Sequence, residues 1–89
     1  MLEKQLEIIN KLGLHARAAA KLISVSSRFS STIQLIKDGR EVDAKSIISV
    51  MMLAAAKGSW LTVRTEGDDE HQALTAIEEL INNRFDEEE

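Results

Sequence analysis

Eighty-nine residues make one domain with a single modest core, because a chain this short buries only roughly 60–65% of its unfolded surface. With 44% apolar and 29% charged residues the chain is ordinarily globular, and its net charge of −4 argues against nucleic-acid binding as its main task. It contains no cysteine, which excludes disulfides, thiol catalysis and thiolate metal sites and fits a reducing cytoplasm. The opening segment, MLEKQLEII, carries acidic residues and no apolar core of a secretory signal. No apolar run approaches the ~18–20 residues of a membrane span, so a cytoplasmic protein that engages no membrane is expected.

In chain order, Leu2, Lys4, Leu6 and Ile8 alternate against Glu3, Gln5, Glu7 and Ile9, the pattern of a half-buried strand. Lys4 interrupts the apolar set. Asn10 to Leu14 reads as a loop. From Ala16 to about Ser27, Ala18, Leu22, Val25 and Phe29 recur at helical spacing in alanine-rich sequence. Thr32–Lys37 is rich in strand formers, and Asp38-Gly39 predicts a tight hairpin into a short strand over 40–43. Ser46 is placed to cap a short helix running to about Ala55 and closed by Gly58. Trp60 to Glu66 alternates again, with Leu61 and Val63 on one face. Gly67 to Glu70 opens a last helix whose buried stripe is Ala73, Ile77, Leu80 and Ile81. The acidic 86–89 tail is expected to be disordered.

The order is therefore βαββαβα. A hairpin at Asp38-Gly39 and helical crossovers elsewhere predict an α+β fold: an antiparallel sheet with helices on one face. Such plaits host many functions, so the fold alone assigns none.

Chemistry concentrates at Gly13-Leu14-His15-Ala16-Arg17. His15 follows a glycine loop and precedes a helix, whose free N–H groups, starting at Ala16, and whose dipole form an anion site. Arg17 adds a fixed positive charge suited to phosphate oxygens. Such positive surroundings favour the neutral imidazole as a nucleophile. By itself, a histidine before a helix is more often a loop or capping residue, so spacing leaves both readings open. Two separated histidines provide no ligand cluster, and no metal or cofactor is expected.

Residues 13–22, Gly13-Leu14-His15-Ala16-Arg17-Ala18-Ala19-Ala20-Lys21-Leu22, resemble the active-site segment of HPr, the histidine phosphocarrier of the bacterial phosphotransferase system. Ala44-Lys45-Ser46-Ile47-Ile48 resembles the second signature of that family, and the likeness covers essentially the whole chain. It implies the HPr-like open-faced sandwich, a four-stranded antiparallel sheet covered on one face by three helices. It also implies a stoichiometric carrier rather than an enzyme, a monomer that takes phosphate from enzyme I on the δ nitrogen of His15. Arg17 would steady the phosphate, and an IIA-type protein would be the acceptor.

Ile9–Gly13, Val50–Gly58 and Asn82–Asp86 look most like the nitrogen-related, NPr-type proteobacterial branch. In that branch a counterpart of enzyme I feeds a regulatory relay rather than sugar uptake. One departure is Ala18, where sugar-type members usually have proline. Alanine is a good helix former, so the change bears on partner preference rather than on phosphorylation.

The helix after Ser46 is apolar almost all round. With Val50 and Leu53 assigned to the core, Ile47, Ile48 and Met51 are left over, either sunk in the core or forming a binding patch. The resemblance favours docking, with Arg17, Lys21 and Lys45 steering acidic partners. Ser46, a plain N-cap, matches a serine that a kinase phosphorylates in many relatives, where the added charge weakens docking.

Three other readings compete with the carrier. A purely regulatory docking module controlled at Ser46 fits less well because such relatives lack the histidine that this chain keeps. A ferredoxin-like enzyme or metal chaperone would want a Cys-x-x-Cys loop, and the chain has no cysteine. An RNA-binding plait would want more than three aromatic residues.

Overall fold

The computed structural model describes every residue from Met1 to Glu89. The elements are β1 (Leu2–Glu7), α1 (Ala16–Ser26), β2 (Thr32–Lys37), β3 (Arg40–Asp43), α2 (Ile47–Met52), β4 (Trp60–Glu66) and α3 (Glu70–Asn82). This is the expected order. The four strands form one antiparallel sheet in the order β1-β4-β2-β3, with the helices packed on one face as an open-faced sandwich. No helix is long and apolar enough to cross a membrane.

Strand alternation decides which face is covered. Leu6 of β1, Ile33 and Leu35 of β2, and Leu61 and Val63 of β4 are buried beneath the helices, with Leu6 opposite Leu61 and Leu35 opposite Val63. The α3 stripe is the expected one: Ala73, Ile77, Leu80 and Ile81 are all buried. Lys4, the interruption in β1, pairs with Val63 in the ladder and reaches Glu78 Oε2 of α3 at 2.5 Å, so its charge is answered across the helix face. On the outer face Arg64 of β4 bridges Glu3 of β1 and Glu41 of β3, the two edge strands, at 2.6 and 2.5 Å. The β2–β3 hairpin turns through Asp38 and Gly39, both at positive φ (52° and 82°), as a two-residue turn matched to strand twist requires.

Helix α2 is shorter than expected. It stops at Met52, because Leu53 and Ala55 are both buried and Ala54 between them takes a left-handed φ of 51°. That reversal presents the Ala55 carbonyl to the loop before α1, which a continued helix would not do. Ala18 is fully buried in α1, and the helix is intact with alanine there.

Asp69 precedes α3, but its carboxylate does not cap that helix. It accepts N–H bonds from Ser30 and Ser31 at 2.9 Å and a short bond from the Ser31 hydroxyl, tying the α3 start to the entry of β2. The Ser31 hydroxyl and then the Ser30 N–H lower its pKa from 3.8 to about 2. A depressed folded pKa contributes stability above the unfolded value, and that contribution drains away as pH falls from about 4 towards 2. Asp69→Asn is therefore expected to lower stability at neutral pH and to flatten the acid limb between about pH 4 and about pH 2 in denaturant titrations. An unchanged acid limb would remove Asp69 from this role.

Candidate functional site

Gly13 sets the approach to α1. Its φ is +68°, and a Cβ there would lie 2.7 Å from the Ala55 carbonyl oxygen and 2.9 Å from Ala56 Cα. Only glycine accepts both the left-handed backbone and that close approach. Leu14 N–H then bonds the Ala55 carbonyl at 2.8 Å, which anchors the loop to the segment after α2.

His15 is the N-cap residue of α1, in extended backbone, and its side chain makes no capping bond. The first helical amide bond runs from Ala19 N–H to His15 O at 2.8 Å. The N–H groups of Ala16, Arg17 and Ala18 thus have no carbonyl partner inside the helix and carry its partial positive charge. His15 is partly exposed and Arg17 is exposed beside it. The cleft here is lined by Lys11, Leu12, His15, Ala16, Arg17 and Lys21 on one side and by Asp86–Glu89 on the other.

That second wall is what the sequence reading lacked. The tail expected to be disordered lies against the site. After α3 the chain makes a left-handed turn, with Arg84, Phe85 and Asp86 at φ 57°, 53° and 62°. Phe85 is fully buried, and its carbonyl accepts a bond from Lys21 Nζ at 2.8 Å. Burying a phenylalanine contributes roughly 1.5–3 kcal/mol, which offsets part of the roughly 1–2 kcal/mol that each left-handed residue costs. Glu87 then reaches the site. Its Oε2 is 2.5 Å from His15 Nε2, and its Oε1 accepts from Asn10 Nδ2 at 2.9 Å.

The surroundings of His15 are accordingly not the purely positive ones expected. A carboxylate faces the ring on one side while Arg17 and the helix start lie in the same cleft. The Asn10 amide, and after it His15, hold the Glu87 carboxyl below the usual carboxylate range, so it is ionised at neutral pH. Asn10 itself is fully buried and also donates to the Gly13 carbonyl at 2.7 Å. Asn10 and Glu87 escaped the sequence reading because one sat in an apparent loop and the other in a charged run. The available signal was Phe85, a lone large aromatic just before the acids.

Of the other expected site residues, Lys21 lines the cleft, but its ammonium is engaged by the Phe85 carbonyl. Lys45 does not line it; its Nζ donates to the Phe29 carbonyl at 2.8 Å. Ser46 is the N-cap of α2, accepting the Ser49 N–H at 3.4 Å. Val50 and Leu53 face the core, while Ile47, Ile48 and Met51 are 39%, 70% and 43% exposed. Of the two alternatives left open for this helix, the sunken one is excluded. Met52 at the end of the same helix is 60% exposed, and Leu12, in the cleft beside His15, is 66% exposed. Helix α2 packs on α1, so this surface adjoins the histidine helix. His71 is exposed on α3 and Trp60 on the outer sheet face, away from the cleft.

The family model described as the PTS HPr component phosphorylation site matches residues 2–83. Phosphocarrier protein HPr of Xylella fastidiosa is 55% identical over 87 residues, 98% of each chain. HPr of Pseudomonas aeruginosa is 55% identical over 93% of each. The crystal structure of HPr-C-His from Thermoanaerobacter tengcongensis superposes over the whole of both chains with a TM-score of 0.97, at 45% identity.

Proposed function

This chain belongs to the HPr family of phosphotransferase-system phosphocarriers, and from that premise we propose that His15 is its phosphoryl acceptor. Phosphate arrives from phosphorylated enzyme I, or its nitrogen-branch counterpart, and leaves to an IIA-type protein in the cytoplasm. The observation that carries this reading is a partly exposed imidazole at the open start of α1, with Arg17 in the same cleft. Unpaired N–H groups and a guanidinium stabilise a phosphoryl group by position and charge, which is most of what protein groups contribute to such transfers.

The exposed Ile47, Ile48 and Met51 form the docking surface. Methionine adapts to more than one partner, as a carrier with a donor and an acceptor requires. A phosphate on Ser46, at the start of the same helix, would weaken docking by charge repulsion and desolvation, and that is the regulatory role assigned to this half-buried hydroxyl. The stretches Ile9–Gly13, Val50–Gly58 and Asn82–Asp86 support a nitrogen-related relay over dedicated sugar uptake.

Incubation with enzyme I and labelled phosphoenolpyruvate is expected to leave one acid-labile phosphoryl group on the chain, with the phosphorus resonance of phosphohistidine. Addition of an IIA-type protein should discharge it. No label on the chain would overturn the proposal.

A further inference from the structure

We infer that Glu87 is a positioning residue for the transfer: bridging Asn10 and His15 Nε2, it keeps the ring proton on Nε2 and leaves Nδ1 as the nucleophile. The inference rests on the reading of His15 as the acceptor and adds to it a residue outside both signature segments.

The geometry leaves little choice of proton position. A carboxylate oxygen only accepts, so a 2.5 Å contact between Glu87 Oε2 and Nε2 requires Nε2 to donate. A neutral imidazole carries one N–H, so Nδ1 then holds the free lone pair. The carboxylate is held in turn. Asn10 Nδ2 donates to both Glu87 Oε1 and the Gly13 carbonyl, while its buried Oδ1 has no partner. Two acceptors in front of one amide nitrogen orient the Asn10 side chain and, through it, Glu87. The tail is fastened on both sides of Glu87, by burial of Phe85 and by a 2.6 Å bond from Lys11 N–H to the Glu89 carbonyl.

In the transfer, the Nδ1 lone pair forms the N–P bond while the bond from phosphorus to the donor protein breaks and its electron pair leaves with the donor. The ring becomes a cation bearing the same Nε2 proton, and Glu87 faces that charge. On discharge, the acceptor's lone pair bonds phosphorus and the N–P pair returns to Nδ1. No proton is exchanged with solvent in either direction, because the ring proton stays between Nε2 and Glu87.

The test compares wild type, Glu87→Gln and Glu87→Ala in the full chain, by 15N spectroscopy of the ring and by the rate of phosphoryl uptake from phosphorylated enzyme I. Wild type should show the Nε2–H tautomer. Glu87→Ala should give a tautomer mixture and uptake slower by roughly 10-fold or more, the scale seen when a partner that orients a functional histidine is lost. Glu87→Gln retains a carbonyl acceptor and should fall between the two. A wild-type rate in Glu87→Ala, or a slowed rate with the tautomer unchanged, overturns the inference. If wild type itself takes up no phosphate, the failure belongs to His15 as acceptor.

Discussion

His15→Ala is expected to accept no acid-labile phosphate from enzyme I while remaining folded. The two effects separate because the ring proposed to take the phosphate contributes little to the fold. Its side chain is 28% exposed, it makes no capping bond to α1, and its one polar contact is with Glu87. Losing such a group changes stability by about 1 kcal/mol or less. The anion site of α1 stays in place but has no nucleophile. The only other histidine, His71, provides the control: exposed on α3 and outside the cleft, it should be replaceable by alanine with full phosphate uptake. Phosphohistidine persisting in His15→Ala would reassign the acceptor.

The largest stability effect is expected at Phe85. Phe85→Ala should cost about 3–5 kcal/mol, the usual range for a fully buried phenylalanine. A domain of this size has only about 4–13 kcal/mol in total, so the variant should be close to its folding threshold. The loss is not relieved by the smaller side chain, because alanine bears the same left-handed strain at φ 53°. Without the buried ring, the strain of three successive left-handed residues loses its main offset, the remaining polar contacts being partly exposed, and the tail should leave Lys21 and His15. Chemical denaturation should show a lowered midpoint, and the His15 ring should respond as it does in Glu87→Ala. A stability loss below about 1 kcal/mol would mean that Phe85 does not anchor the tail.

These two residues differ in how they were readable. His15 and Arg17 belong to a contiguous segment in which glycine, histidine and a cation follow one another before a helix. Local order therefore offered a candidate site, and the resemblance of residues 13–22 and 44–48 gave it a proposed role. Period-two alternation likewise marked β1 and β4, strand-forming composition and the Asp38-Gly39 turn marked β2 and β3, and helical spacing marked the α3 stripe, because each of these signals belongs to its own element. The α2 boundary was less legible: its end depends on the Ala55 carbonyl meeting Leu14, a contact between segments some forty residues apart. Lys4 likewise looked like a flaw until Glu78 faced it.

The residue order alone determined the fold class, the strand and helix sequence, and the apolar surplus of α2, since these follow from short-range pattern, and it placed His15 and Arg17 together at a helix start while leaving the acceptor role to the family resemblance. Tertiary structure alone decided that an acidic tail becomes one wall of the cleft, that Asn10 holds Glu87, and that Lys21 and Lys45 spend their charges on backbone carbonyls. Those contacts join residues distant in the chain, and they are set by which side chains reach one another once Phe85 and the core close around them.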